Sequence, residues 1–171
     1  FNMREVSIPG RSVDTVRFSP FIYGSYDNEW KAGGKTPPLY KVMLFTRRDG
    51  VYKEYMPLRI GFGRTELEEG RPMRRGRELQ LVRASYNAAA DPETTLAELK
   101  ALKAQGKNTV CPDFPQPAWF YELCDRTGLY VIDRAAIDAP ERRDDRRVGG
   151  TPSNDPALAD EYLERVRAMY Y

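Results

Sequence analysis

Proton chemistry in this sequence falls to carboxylates, lysines and tyrosines, because its 171 residues include no histidine. That absence removes the Ser-His-Asp and Cys-His arrangements of nucleophilic catalysis and most catalytic zinc sites. Three acids stand near expected strand ends: Asp113, Asp133 and Asp138. Asp113 either faces a ligand hydroxyl or caps the Pro-rich loop that holds it, and the turn chemistry of Asp favours the cap. Asp133 is followed directly by Arg134. A neighbouring cation favours the charged carboxylate, so a local ion pair is expected there rather than a poised acid. None of these positions earns a catalytic assignment. Cys111 and Cys124 make neither a disulfide framework nor a ligand set for a metal. Cys124, on the apolar face of an expected helix, reads as core. No metal or cofactor is expected.

With 27 basic and 25 acidic side chains the net charge is +2, which implies no nucleic-acid or anionic-membrane partner. No apolar run approaches the roughly 18 residues of a membrane span, and no signal peptide is visible. The expectation is a soluble chain, with its compartment open. It begins at Phe1 without an initiator Met, so a leader or earlier domains are expected to be missing from it.

The elements that must position these acids lie mainly in Lys107 to Ile137. This stretch reads as a short strand (Asn108 to Val110), a Pro-rich loop, an amphipathic helix from Pro117, a stop at Gly128 and a second strand (Leu129 to Asp133). So little slack between strands predicts a parallel pair with a helical crossover. Phe120, Leu123 and Cys124 form the inward face of that helix, and Trp119 joins Phe120 as a core candidate. An earlier helix starts at Asp91-Pro92, carries Leu96, Leu99 and Leu102 on one face, and ends at Gly106. Leu79 to Tyr86 has strand character. A last helix starts at Asp155-Pro156 with an apolar face of Leu158, Tyr162, Val166, Met169 and Tyr170, and Glu161 paired with Arg165. Between them, Ala135 to Asn154 reads as a loop whose charged run is ordinary solvated surface.

The first half is β in pattern. Glu5 to Ile8 and Val13 to Phe18 alternate apolar and polar residues. Leu39 to Thr46 and Val51 to Ile60 flank Arg47-Arg48-Asp49-Gly50, where Asp-Gly signals a hairpin. Glu68-Glu69-Gly70 marks another turn. Several short strands with regular turns predict half of a β-sandwich. Phe21, Tyr23, Tyr26 and Trp30 lie in an irregular connection; sheet packing is expected for them, with a sugar-stacking platform as the alternative.

Asn-Thr-Val at 108–110, Tyr-Glu-Leu-Cys-Asp at 121–125 and Gly-Leu-Tyr-Val-Ile-Asp at 128–133 occur in order. Together they resemble the opening barrel segment of glycoside hydrolase family 2, the β-galactosidase and β-glucuronidase type. Trp30 with Pro37-Pro38-Leu39-Tyr40, Arg59 to Phe62, and Glu66 to Met73 are similar to that family's motifs before the barrel. The resemblance implies an α+β chain: a partial immunoglobulin-like β-sandwich over residues 1–63, then an incomplete (β/α) barrel of about three βα units over 64–171. It implies a carbohydrate substrate for the parent protein. It also implies that the chain is inactive alone, because Glu164 to Tyr171 resembles the helix just before the family's catalytic carboxylates.

Where the family reads Arg-Thr-Ser-His after Asn-x-Val, this chain has Cys111-Pro112-Asp113-Phe114. Where the family reads Asp-Glu-Ala-Asn, it has Asp133-Arg134-Ala135-Ala136, and Tyr86 to Ala90 replaces Asn-Arg-His-Glu-His. These departures fall at strand ends, where a barrel builds its site. They make Asn87, Asp113, Phe114 and Arg134 the candidate substrate-binding residues. A non-catalytic sugar-binding or scaffold piece is the alternative, and an independent small interaction domain is a third. An unfinished sheet leaves an edge open, so a homo-oligomer through that edge is expected.

Overall fold

The computed structural model describes residues 3–34, 37–136 and 155–170. In the first half, β1 (Tyr40–Arg48) and β2 (Val51–Ile60) form an antiparallel hairpin. Asp49 and Gly50 both take positive φ, 52° and 77°. That is the turn geometry whose twist matches a two-stranded ribbon. Both turn arginines expected beside them join β1 instead. Lys53 stands opposite no partner, because Thr46 pairs with Glu54 and Arg47 with Tyr52, which is a bulge.

Glu5 to Ile8 and Val13 to Phe18 are not strands: neither joins a ladder. Alternation gives such a segment an apolar face but supplies no neighbour for its N–H and C=O groups. Among the described residues no second sheet faces the hairpin, whose Met43, Tyr55 and Met56 stay exposed. The half-sandwich reduces to one ribbon here. Residues 66–78 then make a small meander of β3 (Glu66–Glu68), β4 (Arg71–Arg74) and β5 (Arg77–Glu78). The expected turn at Glu69-Gly70 is present.

The second half holds the core. β6 (Arg83–Ser85), β7 (Thr109–Cys111) and β8 (Tyr130–Val131) are parallel in the order β6-β7-β8, joined by α1 (Pro92–Ala104) and α2 (Ala118–Thr127). Asp91 caps α1 by accepting from the Thr94 N–H at 2.8 Å, and this bond, with its side-chain counterpart at Thr94, lowers the Asp91 pKa. Pro92 occupies the first helical position, where its missing N–H costs nothing. Gly128 closes α2 at φ 77°, the left-handed conformation that favours Gly. Leu99, Val110, Phe120, Leu123, Cys124 and Leu129 form the buried cluster, with Trp119 packed beside it. Burial pushes the Cys124 thiol up to about 12, as befits a core cysteine.

After a 3-10 turn (Pro156–Leu158), α3 (Ala159–Tyr170) carries the expected Glu161–Arg165 ion pair. Its apolar side is only partly covered, since Leu163 and Val166 are exposed. Residues 137–154, which include Asp138 and the charged run, lie outside the described residues.

A strap from Glu29 to Gly34 ties the two halves together. The Trp30 N–H donates to the Phe62 carbonyl at 2.7 Å, and its Nε1 donates to the Asp125 carbonyl at 2.9 Å. Its ring meets Tyr130 edge-on at 5.3 Å. Lys103 Nζ donates to the carbonyls of Gly34 and Thr127 at 2.6 and 2.5 Å. Glu29 sits 3.0 Å from Arg74 and 3.2 Å from Arg75, and the Arg74 hydrogen bond holds its carboxyl below the ordinary value. The packing expected of the connection's aromatics therefore holds for Trp30 alone. Phe21, Tyr23 and Tyr26 are 88%, 92% and 69% exposed, because among the described residues no sheet lies beneath them.

Candidate functional site at the strand ends

Three parallel strands bring three chain exits to one edge. Asn87 follows β6, Asp113 and Phe114 follow β7, and Asp133 and Arg134 follow β8. The ladder continues briefly past the strands through Tyr86 N–H to the Cys111 carbonyl and Ile132 N–H to the Val110 carbonyl, which fixes how far apart the exits lie.

Asn87, Asp113 and Arg134 meet. Asn87 Nδ2 donates to Asp113 Oδ2 at 3.1 Å, and Asn87 Oδ1 accepts from the Asp113 N–H at 2.9 Å. Arg134 Nη1 donates to Asp113 Oδ1 at 3.1 Å. The expected pair between Asp133 and Arg134 side chains is replaced by this longer reach, and Asp113 takes these partners instead of capping its loop. Asp133 accepts the Tyr121 hydroxyl at 2.6 Å on Oδ2 and the Arg134 backbone N–H at 3.1 Å on Oδ1. Phe114 shares the edge, but its side chain stays out of the network: the residue is 49% exposed, while its carbonyl accepts from Gln116 Nε2 at 2.6 Å.

Two members were not singled out from the sequence, Tyr121 and Gln116. Their signal was positional. The helix after β7 begins at the edge where the strands end, so a long polar side chain in its first turn, Tyr121, or in the loop just before it, Gln116, reaches that edge. Burial, then the hydrogen bond to Asp133, raises the Tyr121 phenol above its ordinary pKa. Burial, then Glu98 at 2.6 Å, raises Tyr86 to about 12. Both phenols stay protonated at neutral pH.

Each of the two carboxylates has both oxygens engaged, so neither is positioned as a free proton carrier. The Asp113–Arg134 pair is about half exposed on each side and adds little stability, at most about 1 kcal/mol. It can offer hydrogen bonds to hydroxyl groups: the guanidinium has further donors and the carboxylate further lone pairs. Among the described residues no three His, Cys, Asp or Glu side chains are placed to hold a metal ion. Two concave spaces of about 430 and 290 Å³ among the described residues lie elsewhere, around Pro37, Arg59 and Arg126 and around Lys100 and Thr127. Among the described residues the strand-end site is a half-exposed rim.

Residues 86–171, which begin with this rim and run through α3, match the family described as Glycosyl hydrolases family 2, TIM barrel domain. The chain belongs to glycosyl hydrolase family 2. Over 170 residues it is 29% identical to a β-galactosidase from Erwinia tasmaniensis, covering 94% of this chain and 16% of that protein. Against a β-galactosidase from Lactobacillus delbrueckii subsp. bulgaricus the identity is 29% over 155 residues, 82% of this chain and 15% of the relative. This family 2 chain thus spans about one-sixth of the length of the curated relatives it matches. In fold it is similar to an exo-chitosanase from Amycolatopsis orientalis in complex with PNP-β-D-glucosamine, with TM-score 0.54 and 19% identity over 80% of this chain and 18% of that one. Its parallel strands and crossover helices form a stretch of the family's barrel that, among the described residues, does not close. No helix among the described residues is long and apolar enough to cross a membrane.

Proposed function

We propose that this chain is part of a β-galactosidase-like glycoside hydrolase acting on O-glycosidic bonds, and that Asn87, Asp113, Phe114 and Arg134 line the mouth of its sugar site. The observation that carries this reading is the hydrogen-bonded cluster of Asn87, Asp113 and Arg134 on the carboxyl edge of a parallel sheet. That is the edge where barrels of this kind assemble their sites. A carboxylate and a guanidinium side by side accept from and donate to sugar hydroxyls, and the exposed Phe114 ring offers a flat apolar face.

Cleavage with retention needs two carboxyl groups about 5–5.5 Å apart, one of them a nucleophile. Each oxygen of Asp113 and Asp133 already has a hydrogen-bond partner, which supports the reading that neither serves as nucleophile and that the chain alone does not turn over. A turnover assay with p-nitrophenyl β-galactoside and β-glucuronide checks this, run on the 171-residue chain and on a longer protein containing it. Release of nitrophenol by the longer protein only is the expected result. Sugar binding with no turnover by either favours the second reading, a non-catalytic binding piece, which the same engaged carboxylates support.

Among the described residues β6 and β8 each pair with β7 alone, and α3 exposes Leu163 and Val166. Open edges and uncovered apolar faces favour association, so we propose that the isolated chain forms a homo-oligomer. Light scattering across a wide concentration range should show it; a monodisperse monomer throughout would contradict it.

A further inference from the structure

The hydrogen bonds at the strand ends close into a circuit. Tyr121 donates to Asp133 at 2.6 Å and accepts from the Gln116 N–H at 2.9 Å. Gln116 Oε1 accepts from the Ala88 N–H at 2.8 Å. Ala88 follows Asn87, which holds Asp113; Asp113 holds Arg134, whose own N–H returns to Asp133. All three strand exits are members. Tyr121 is the one member that comes from a helix, and its ring is set by an edge-to-face contact with the fully buried Phe120 at 5.5 Å. A phenol has a single donor and can accept in the same geometry, so this hydroxyl joins the β7 and β8 exits at one atom.

We propose that Tyr121 is a positioning residue: its hydroxyl, fixed by the core, sets where Asp133, Arg134 and the Gln116 loop stand, and so sets the geometry of the rim without touching sugar. Alternatives in the fold carry less. The cations around Arg126 include Lys103 and Arg126 in the last turns of α1 and α2, where helix dipoles account for them. The exposed rings at Phe21 and Tyr23 meet each other edge-on at 6.3 Å.

The effect on affinity rests on the sugar-site reading; the effect on geometry does not. Tyr121→Phe removes the hydroxyl and keeps the ring. In a ¹⁵N-labelled chain it should shift the backbone amides of Ala88, Gln116 and Arg134. It should also weaken isopropyl β-D-thiogalactoside binding by roughly tenfold, the scale of one hydrogen bond to a charged group. Gln116→Ala breaks the same circuit, so the double variant should bind no more weakly than the weaker-binding single one. Leu102→Ala, chosen as a core change outside the circuit, should lower Tm and leave those amides and the affinity in place. If Tyr121→Phe leaves the Ala88 and Arg134 amides unmoved, or if Leu102→Ala reproduces its effects, the positioning role is overturned. Amides moved by Tyr121→Phe, with no sugar bound by the wild-type chain, would uphold the positioning role and sink the sugar reading.

Discussion

Phe120→Ala should unfold the second half of the chain. Phe120 is fully buried at the centre of the cluster and lies against Tyr86 at 6.3 Å, nearly parallel, and Tyr121 at 5.5 Å. Emptying such a site costs about 3–5 kcal/mol, the transfer term plus the cavity term. A domain's whole stability is about 5–15 kcal/mol, and this core has few members to share the loss. Both flanking tyrosines belong to the segments that carry the rim, so the rim should go with the core. Urea titration followed by circular dichroism is the check. Phe120→Leu, which leaves a smaller void, should keep a cooperative transition, and a Phe120→Ala midpoint equal to that of the parent chain would show that the core lies elsewhere.

Gly61→Ala should dislodge Trp30. A Cβ at position 61 would stand 2.7–2.9 Å from the Cβ, Cγ and Cδ1 of Trp30. These atoms are the root of the side chain, and Trp30 is pinned by the Phe62 and Asp125 carbonyls, so it cannot swing aside. Overpacking of this kind costs about 1–3 kcal/mol, and loss of the strap follows. In a Trp119→Phe background, fluorescence reports Trp30 alone. Gly61→Ala should shift its emission to the red; unchanged emission would mean that the strap does not depend on this close approach.

The elements legible in the sequence were those whose signals are local. Asp91-Pro92 and Gly106 bound α1, Gly128 ends α2, and Asp49-Gly50 turns the hairpin, because each residue acts on its own backbone. Glu5 to Ile8 and Val13 to Phe18 misled, since a strand also needs a partner that alternation cannot name. The rim was half legible. Its residues followed from the ends of predicted strands and a family resemblance, and three of the four do meet. Their partners did not follow. Successive side chains of an extended segment point opposite ways, so Arg134 turns from its neighbour Asp133 toward Asp113 on the adjacent exit. Tyr121 was hidden for a related reason: it lies next to the buried Phe120 in a helix that reads as core.

The most direct test of the sugar-facing rim is to titrate the ¹⁵N-labelled chain with isopropyl β-D-thiogalactoside and map which amides move. The account predicts saturable shifts at Asn87, Asp113, Phe114 and Arg134, abolished when all four are substituted. Shifts confined to the groove around Arg59 and Arg126, or binding that survives those four substitutions, would contradict it.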